Sequence, residues 1–203
     1  MKTSIIIPTK NAGQEFKEVL KSIFQQSEKN FELIVIDSGS HDETIKIAKS
    51  FPTKIYKIKS EDFGHGKTRN LSLKYAKGKY IVFLSQDAKP LNNKWLSNLL
   101  KNFKDKKVAG IFSKQIPRKD APITERFFYN YYFHNTKTTR PKSKNNNFLD
   151  KIFFSNVSSA IKKDILKKHA FNENLIMSED QQWAKDILGN GFKTLYEPTS
   201  IVI

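Results

Sequence analysis

The sequence contains no cysteine. That excludes a disulfide framework, a cysteine-based zinc site and thiol catalysis, and it fits a reducing compartment. Glycine and proline are sparse, eight and seven in 203 residues, beside sixteen phenylalanines and 38% hydrophobic residues. Wholesale disorder and fibrous repeats are thereby excluded. Acidic residues are in short supply: 20 Asp and Glu face 36 Lys and Arg, a formal charge of +16. Such an excess bears on partners (nucleic acid, an anionic membrane face, phosphorylated small molecules) and not on fold. Its weight is reduced because the lysines are scattered along a chain rich in Lys, Asn, Ile and Phe. No apolar run approaches the ~20 residues needed to cross a bilayer. Ile5-Ile6-Ile7, stopped by Pro8, is too short for the apolar stretch of a signal peptide. The expectation is a soluble, cytoplasmic protein, free to sit at the inner face of the cell membrane.

What is present is alternation. Ser4–Ile7, Phe31–Ile36 and Tyr80–Leu84 are short apolar runs with no polar interruption, as in strands buried on both faces of a parallel sheet. Lys54–Ile58 and Val108–Phe112 are two further candidates. Phe16, Val19, Leu20, Ile23 and Phe24 form one stripe of an amphipathic helix. Ser40 and Glu43 read as a capping box, and Thr68–Ala76 and Lys94–Phe103 as two more helices. This order predicts an α/β domain with a mostly parallel central sheet flanked by helices.

The second half is less regular. Phe127, Phe128, Tyr129, Tyr131, Tyr132 and Phe133 crowd one segment, read first as a helix plugging the sheet and otherwise as a sticky surface for membrane or acceptor. Asn135–Asn147, with Lys137, Arg140, Lys142 and Lys144, reads as a mobile basic loop. Helices are expected at Lys163–His169 and Asp180–Leu188, and closing strands at Lys193–Tyr196 and Ser200–Ile203.

Three polar clusters fall where such a fold places function, just past the carboxyl ends of strands: Pro8-Thr9-Lys10-Asn11, Asp37-Ser38-Gly39-Ser40 and Ser85-Gln86-Asp87-Ala88. Each alone is ordinary turn chemistry; together at one edge they are not. The dinucleotide fingerprint is absent from the first turn. Gly64-His65-Gly66-Lys67-Thr68 fails as a phosphate-binding P-loop because Glu61 stands where the first glycine is required.

These segments, with Phe154-Ser155-Asn156 and Ser178-Glu179-Asp180-Gln181-Gln182-Trp183, resemble the family 2 glycosyltransferases in order along the whole chain, and within them the bacterial rhamnosyltransferases. The resemblance implies a single GT-A domain over residues 1–203. Residues 1–110 would bind the nucleotide sugar and 111–203 would bring the acceptor and the catalytic base. It implies inverting transfer of a sugar, L-rhamnose from dTDP-rhamnose, onto a hydroxyl of a cell-surface glycan or lipid-linked saccharide, with no nucleic-acid partner. A dTDP- or UDP-sugar donor would lie against Pro8, Thr9, Lys10, Asn11, Asp37, Ser38, Gly39, Ser85, Gln86 and Asp87, with Asp37 reading a pyrimidine imide. Lys67, Arg69 and Asn70 would meet the phosphates or neighbouring groups, and His65 lies close by. The family's metal motif, Asp-x-Asp, reads Ser85-Gln86-Asp87. Asp87 is therefore the single carboxylate left to hold Mg²⁺ or Mn²⁺, and Ser85 suits a deoxyribose nucleotide. Glu179-Asp180 is the base candidate, with Asp180 the matching residue.

Processivity is not expected, since the arginine of the Gln-x-x-Arg-Trp signature is missing. Family members continue past the last strand with a histidine near the metal, and the sequence stops at Ile203 before that position. A truncated enzyme and a donor-binding module without turnover are both open on this reading. A basic nucleic-acid-binding protein is the remaining rival. The basic loop and the aromatic run would suit contact with anionic lipid.

Overall fold

The computed structural model describes residues 2–140 and 152–203. In chain order its elements are β1 (Thr3–Thr9), α1 (Phe16–Phe24), β2 (Phe31–Asp37), α2 (Thr44–Lys49), β3 (Thr53–Lys57), α3 (His65–Ser72), β4 (Tyr80–Leu84), α4 (Trp95–Leu100) and β5 (Val108–Gln115), followed by α5 (Ile123–Tyr132), β6 (Thr138–Arg140), β7 (Ser158–Lys162), α6 (Lys163–Lys168), α7 (Glu179–Gly189) and β8 (Lys193–Val202). The strands form one sheet in the order β3-β2-β1-β4-β7-β5-β8-β6. The left half, β3-β2-β1-β4, is parallel; β7 enters antiparallel between β4 and β5, and β6 is antiparallel on the far edge.

The unbroken apolar runs are explained by a core on each face. Ile5, Ile7, Leu33, Val35, Val82 and Leu84 point to the side covered by α1, α2 and α4. Their alternating neighbours Ile6, Ile34, Ile36, Ile81 and Phe83 point to the side covered by α6 and α7. Alternate residues of a strand face opposite sides, so a sheet covered twice leaves no polar position. Each large side chain so buried contributes about 1.5–3 kcal/mol. Trp183 of α7 is accommodated because β5 has Gly110 beneath it: a Cβ there would lie 2.9 Å from the indole ring. The indole N–H is satisfied by the His169 carbonyl at 2.8 Å.

Several local expectations are corrected. Ser40 is not a helix cap: α2 starts at Thr44, and the Ser40 hydroxyl is drawn instead to the Asp37 carboxylate at 2.5 Å. Helix α3 starts at His65, three residues earlier than its apolar pattern suggests, and ends at Ser72. The two closing strands are one ten-residue strand, β8, with a register irregularity against β5 between Ser113 and Lys114.

The basic stretch is not a loop throughout. Thr138–Arg140 forms β6 on β8, and the Arg140 guanidinium lies buried 5.1 Å over the Phe112 ring. An aromatic stack and a strand partner outweigh the polarity that reads as a loop. Lys142 and Lys144 lie outside the described residues. The aromatic segment does form a helix, α5, but it seals the sheet with one side alone. Tyr132 stacks on Phe153 at 4.4 Å, while Ile123, Phe127, Phe128 and Tyr131 face outward.

No described helix is long and apolar enough to cross a membrane.

Candidate active site

Parallel strands β1, β2 and β4 end together, and the turns that leave them meet. The Asp37 carboxylate, 1% exposed, organises the turn after β2: Oδ2 accepts the Gly39 and Ser40 N–H groups at 3.2 and 3.1 Å, and Oδ1 accepts the Ser40 hydroxyl and, at 3.5 Å, that of Thr9. Gly39 has φ +88°, a conformation that suits glycine. The turn after β1 is clasped to it. Asn11 donates its N–H to the Ser40 hydroxyl and accepts from the His41 N–H, both at 2.9 Å; Ser38 donates to the Thr9 carbonyl. Gln86, leaving β4, makes a reciprocal amide pair with the Lys10 backbone, 2.8 Å to the N–H and 3.2 Å to the carbonyl. Lys10 reaches across to the Ser60 hydroxyl at 2.5 Å.

These turns enclose a cleft of about 260 Å³ lined by Pro8, Thr9, Lys10 and Ser38 on one side, Ser85, Gln86 and Asp87 on another, and Phe63, His65 and Arg69 on a third. Asp87 is exposed within it and also borders the two neighbouring depressions. Among the described residues no three His, Asp or Glu side chains gather as a ready metal site. The residues present therefore fit a divalent cation only in company: one carboxylate from Asp87, the remaining positions filled by ligand oxygens and water, as suits Mg²⁺.

The antiparallel run of β7 brings the second half to this edge. Leu84 pairs with Ser158, so the residues just before β7 lie beside the end of β4, and the Ser85 N–H donates to the Val157 carbonyl at 2.9 Å. The preceding residue, Asn156, faces α7. Its backbone N–H donates to Asp180 Oδ2 at 2.9 Å, and its side-chain amide lies 3.4 Å from Glu179 Oε1. Asp180 Oδ1 accepts the Gln181 N–H at 2.8 Å. Helix α7 begins after Ser178, which holds φ +63°, so Asp180 stands in the first turn and is not the cap. Burial pushes the Asp180 carboxyl above the usual aspartate range and the Glu179 charge adds to this; the Asn156 N–H and Arg69 oppose it without cancelling it. A carboxylate so raised is a stronger base than an exposed one.

Glu179 is placed differently. It is 4% exposed and its Oε1 receives Arg69 Nη1 at 2.5 Å. The two cations and the amide grouped on the glycine-containing helix thus part company. Arg69 lines the cleft; Lys67 turns away to Asp62 at 3.1 Å; and Asn70 ties the next segment down, exchanging hydrogen bonds with the Phe171 backbone and reaching Glu173. Lys67 and Asn70 border a separate depression on the far side of α3, because residues one or two positions from Arg69 do not share its face of the helix. Sequence reasoning passed over Phe63, and it quoted Asn156 within a motif without giving it a role. Phe63 meets His65 edge-on at 5.2 Å in the cleft wall and belongs to no motif, while the motif that holds Asn156 does not say what its backbone N–H will meet.

The Glycosyl transferase family 2 profile matches residues 4–170. The chain belongs to this family. It is 34% identical over its full length to an O-antigen chain rhamnosyltransferase of Salmonella typhimurium and 32% identical over 95% of its length to another of Salmonella anatum. It spans 66% and 62% of the lengths of those two proteins. Among solved structures it is similar to a mannosyltransferase of Pyrobaculum calidifontis in complex with GDP-Man and Mn²⁺, with a TM-score of 0.76 at 22% identity over 99% of this chain and 56% of that one. It is also similar to a Staphylococcus aureus protein, TarS residues 1–349, in complex with UDP-GlcNAc, with a TM-score of 0.74 at 23% identity over 100% of this chain and 57% of that one. The fold is the GT-A fold.

Proposed function

We propose that this chain is the donor-binding and base-bearing part of an inverting rhamnosyltransferase, moving L-rhamnose from dTDP-rhamnose to a hydroxyl of a growing surface glycan. The observation that carries the reading is the frame made by Asn156 and Val157. One peptide segment holds Asp180 through the Asn156 N–H and the end of β4, with Ser85 and Asp87 beyond it, through the Val157 carbonyl. On this reading a base and a phosphate-facing carboxylate are linked through one peptide segment, which suits a displacement with inversion. The Salmonella relatives favour rhamnose, and the two solved neighbours bind nucleotide-diphosphate sugars.

In this reading the nucleotide lies along Pro8, Thr9, Lys10 and Ser38, and Asp37 acts from behind by holding that wall in shape. Ser85, standing where an acidic residue would meet a ribose, leaves room for deoxyribose. A divalent cation held between Asp87, the diphosphate and water would supply charge neutralisation for the leaving group. Asp180 takes the proton from the acceptor hydroxyl as the acceptor oxygen bonds to the anomeric carbon. The bond from that carbon to the diphosphate breaks on the opposite face, and its electron pair leaves with the nucleotide. The outward face of α5, with Ile123, Phe127 and Tyr131, is assigned to an anionic membrane surface that carries the acceptor, in keeping with the formal charge of +16.

The test is thermal stabilisation by dTDP, UDP, GDP and CDP with Mg²⁺, Mn²⁺ or chelator. At about 100 times its dissociation constant a nucleotide adds ~2.7 kcal/mol. Cation-dependent stabilisation by dTDP, abolished in Asp87→Ala, is expected. Stabilisation by none of the four, with or without metal, would overturn the donor assignment.

A further inference from the structure

Among the described residues Arg69 is the cleft-lining cation held in an ion pair. It is 7% exposed, its Nη1 sits 2.5 Å from Glu179, its guanidinium lies 5.8 Å from the Phe83 ring centre, and its Nε is enclosed with no hydrogen-bond partner. Glu179 is the first residue of α7 and the immediate neighbour of Asp180. The same carboxylate oxygen that meets Arg69 lies within reach of the Asn156 amide, and Asn156 holds Asp180 from the other side. Asn156 is itself fixed, its Oδ1 accepting the Ser159 hydroxyl at 2.8 Å. Helix α3, which supplies Arg69, is bound to the segment leading into α7 by the Asn70 bonds to Phe171. It approaches that segment so closely that a Cβ on Gly66 would lie 2.7 Å from the Asn172 carbonyl oxygen.

We propose that Arg69 and Glu179 are positioning residues: a buried ion pair that pins the start of α7 to α3 and so aims Asp180, with Arg69 engaged by Glu179 and not by the diphosphate of the donor. The pair acts on Asp180 in two ways. Sterically, it fixes the first turn of α7; beside the Gln181 N–H on that same helix, the Asn156 N–H is the bond that reaches the Asp180 carboxylate from another element. Electrostatically, the two charges oppose each other at Asp180, Glu179 making it more basic and Arg69 less. The other partners of Asp180, the Asn156 and Gln181 N–H groups, are neutral. A buried pair of this kind contributes little net stability but is costly to break by halves, since the partner left behind is a bare buried charge. Removing both together is the tolerated change.

The inference rests on the transferase reading only for what Asp180 does; the pair itself is testable without turnover. The Asp180 carboxyl is followed by ¹³C NMR in aspartate-labelled protein, its resonance identified by its loss in Asp180→Asn, and the affinity for dTDP with Mg²⁺ is measured by calorimetry. Glu179→Gln should lower the Asp180 titration midpoint by about one pH unit and Arg69→Met should raise it by about as much. Arg69→Met/Glu179→Leu, which leaves no orphan charge and keeps the fold, should bring it back near the wild-type value. Affinity for dTDP should stay within about threefold throughout, while transfer falls chiefly in kcat and not in KM. A loss of about tenfold or more in dTDP affinity in the double variant would make Arg69 a diphosphate ligand and overturn the inference. So would an Asp180 midpoint that does not move in either single variant. If wild-type protein binds no nucleotide, the donor assignment fails, while the titration still decides whether the pair governs Asp180.

Discussion

The two halves of the site are built by different means. The cleft between β1, β2 and β4 is assembled from turns that leave adjacent parallel strands, and nearly every polar atom in them is tied to the neighbouring turn: Asn11 to Ser40 and His41, Ala12 to Thr44, Gly13 to Asp42, Gln86 to Lys10. Asp180 is held from far away, by residues 24 and 110 positions distant acting on it or on its neighbour. A turn network between adjacent strands forms with the sheet and is complete before any ligand arrives. A carboxylate held by remote packing is as accurate as every layer beneath it, and it is the half that small structural errors should disable first.

The strongest break in the comparison is Asp180→Asn. Transfer should fall by about 10²-fold or more, while dTDP affinity stays near wild type, measured by product formation and calorimetry on the same protein. Stability should not fall with it. The Asp180 value is raised in the folded protein, so its contribution is favourable below the unfolded value of about 3.8 and is lost as pH rises through the folded one. At pH 7 a neutral amide relieves that cost, and the variant should melt at or above the wild-type temperature.

Gly66→Ala tests the remote support. The new methyl would meet the Asn172 carbonyl, displacing the segment that leads to α7 at a cost of about 1–3 kcal/mol. Transfer should drop more than nucleotide affinity does, which separates the two halves in one variant; equal losses would show them to be one unit.

Glu197→Gln probes the β8 edge. Burial raises the Glu197 carboxyl, but hydrogen bonds from Thr199 and Asn102, with Lys101, outweigh it and hold it below 4.5. Its stabilisation is present above that value and is lost as pH falls through the lower, folded one. Urea melts at pH 7 and pH 3 should show the wild-type advantage over the variant shrinking at the lower pH. The smallest effect is expected from Phe127→Ser. It should leave melting temperature and nucleotide affinity unchanged and weaken sedimentation with phosphatidylglycerol vesicles several-fold, since the ring is 73% exposed and supports nothing in the core.

How much of this was legible beforehand follows the same division. The strands β1, β2 and β4 were readable because their apolar runs have no other explanation than burial on both faces, and their terminal clusters were readable because parallel strands must end at one edge. The role of Ser40 was misread: its spacing to Glu43 matches a cap, yet the nearby Asp37 carboxylate is the better partner for its hydroxyl. Arg140 read as a loop residue because its aromatic partner Phe112 lies 28 positions earlier and only the sheet brings them together.

By itself, the amino-acid sequence determined the two-sided sheet, the edge at which chemistry gathers, the family and the acidic pair on α7. It did so because those features rest on periodicity, on strand polarity and on residues close together in the chain. Only the tertiary structure gave the two members of the pair different surroundings. Glu179 and Asp180 are adjacent and chemically alike, and what separates them is that α3 delivers a buried guanidinium to one while the turn before β7 delivers a backbone N–H to the other. Neither partner is near in sequence, and the difference in environment exists only once the layers have packed.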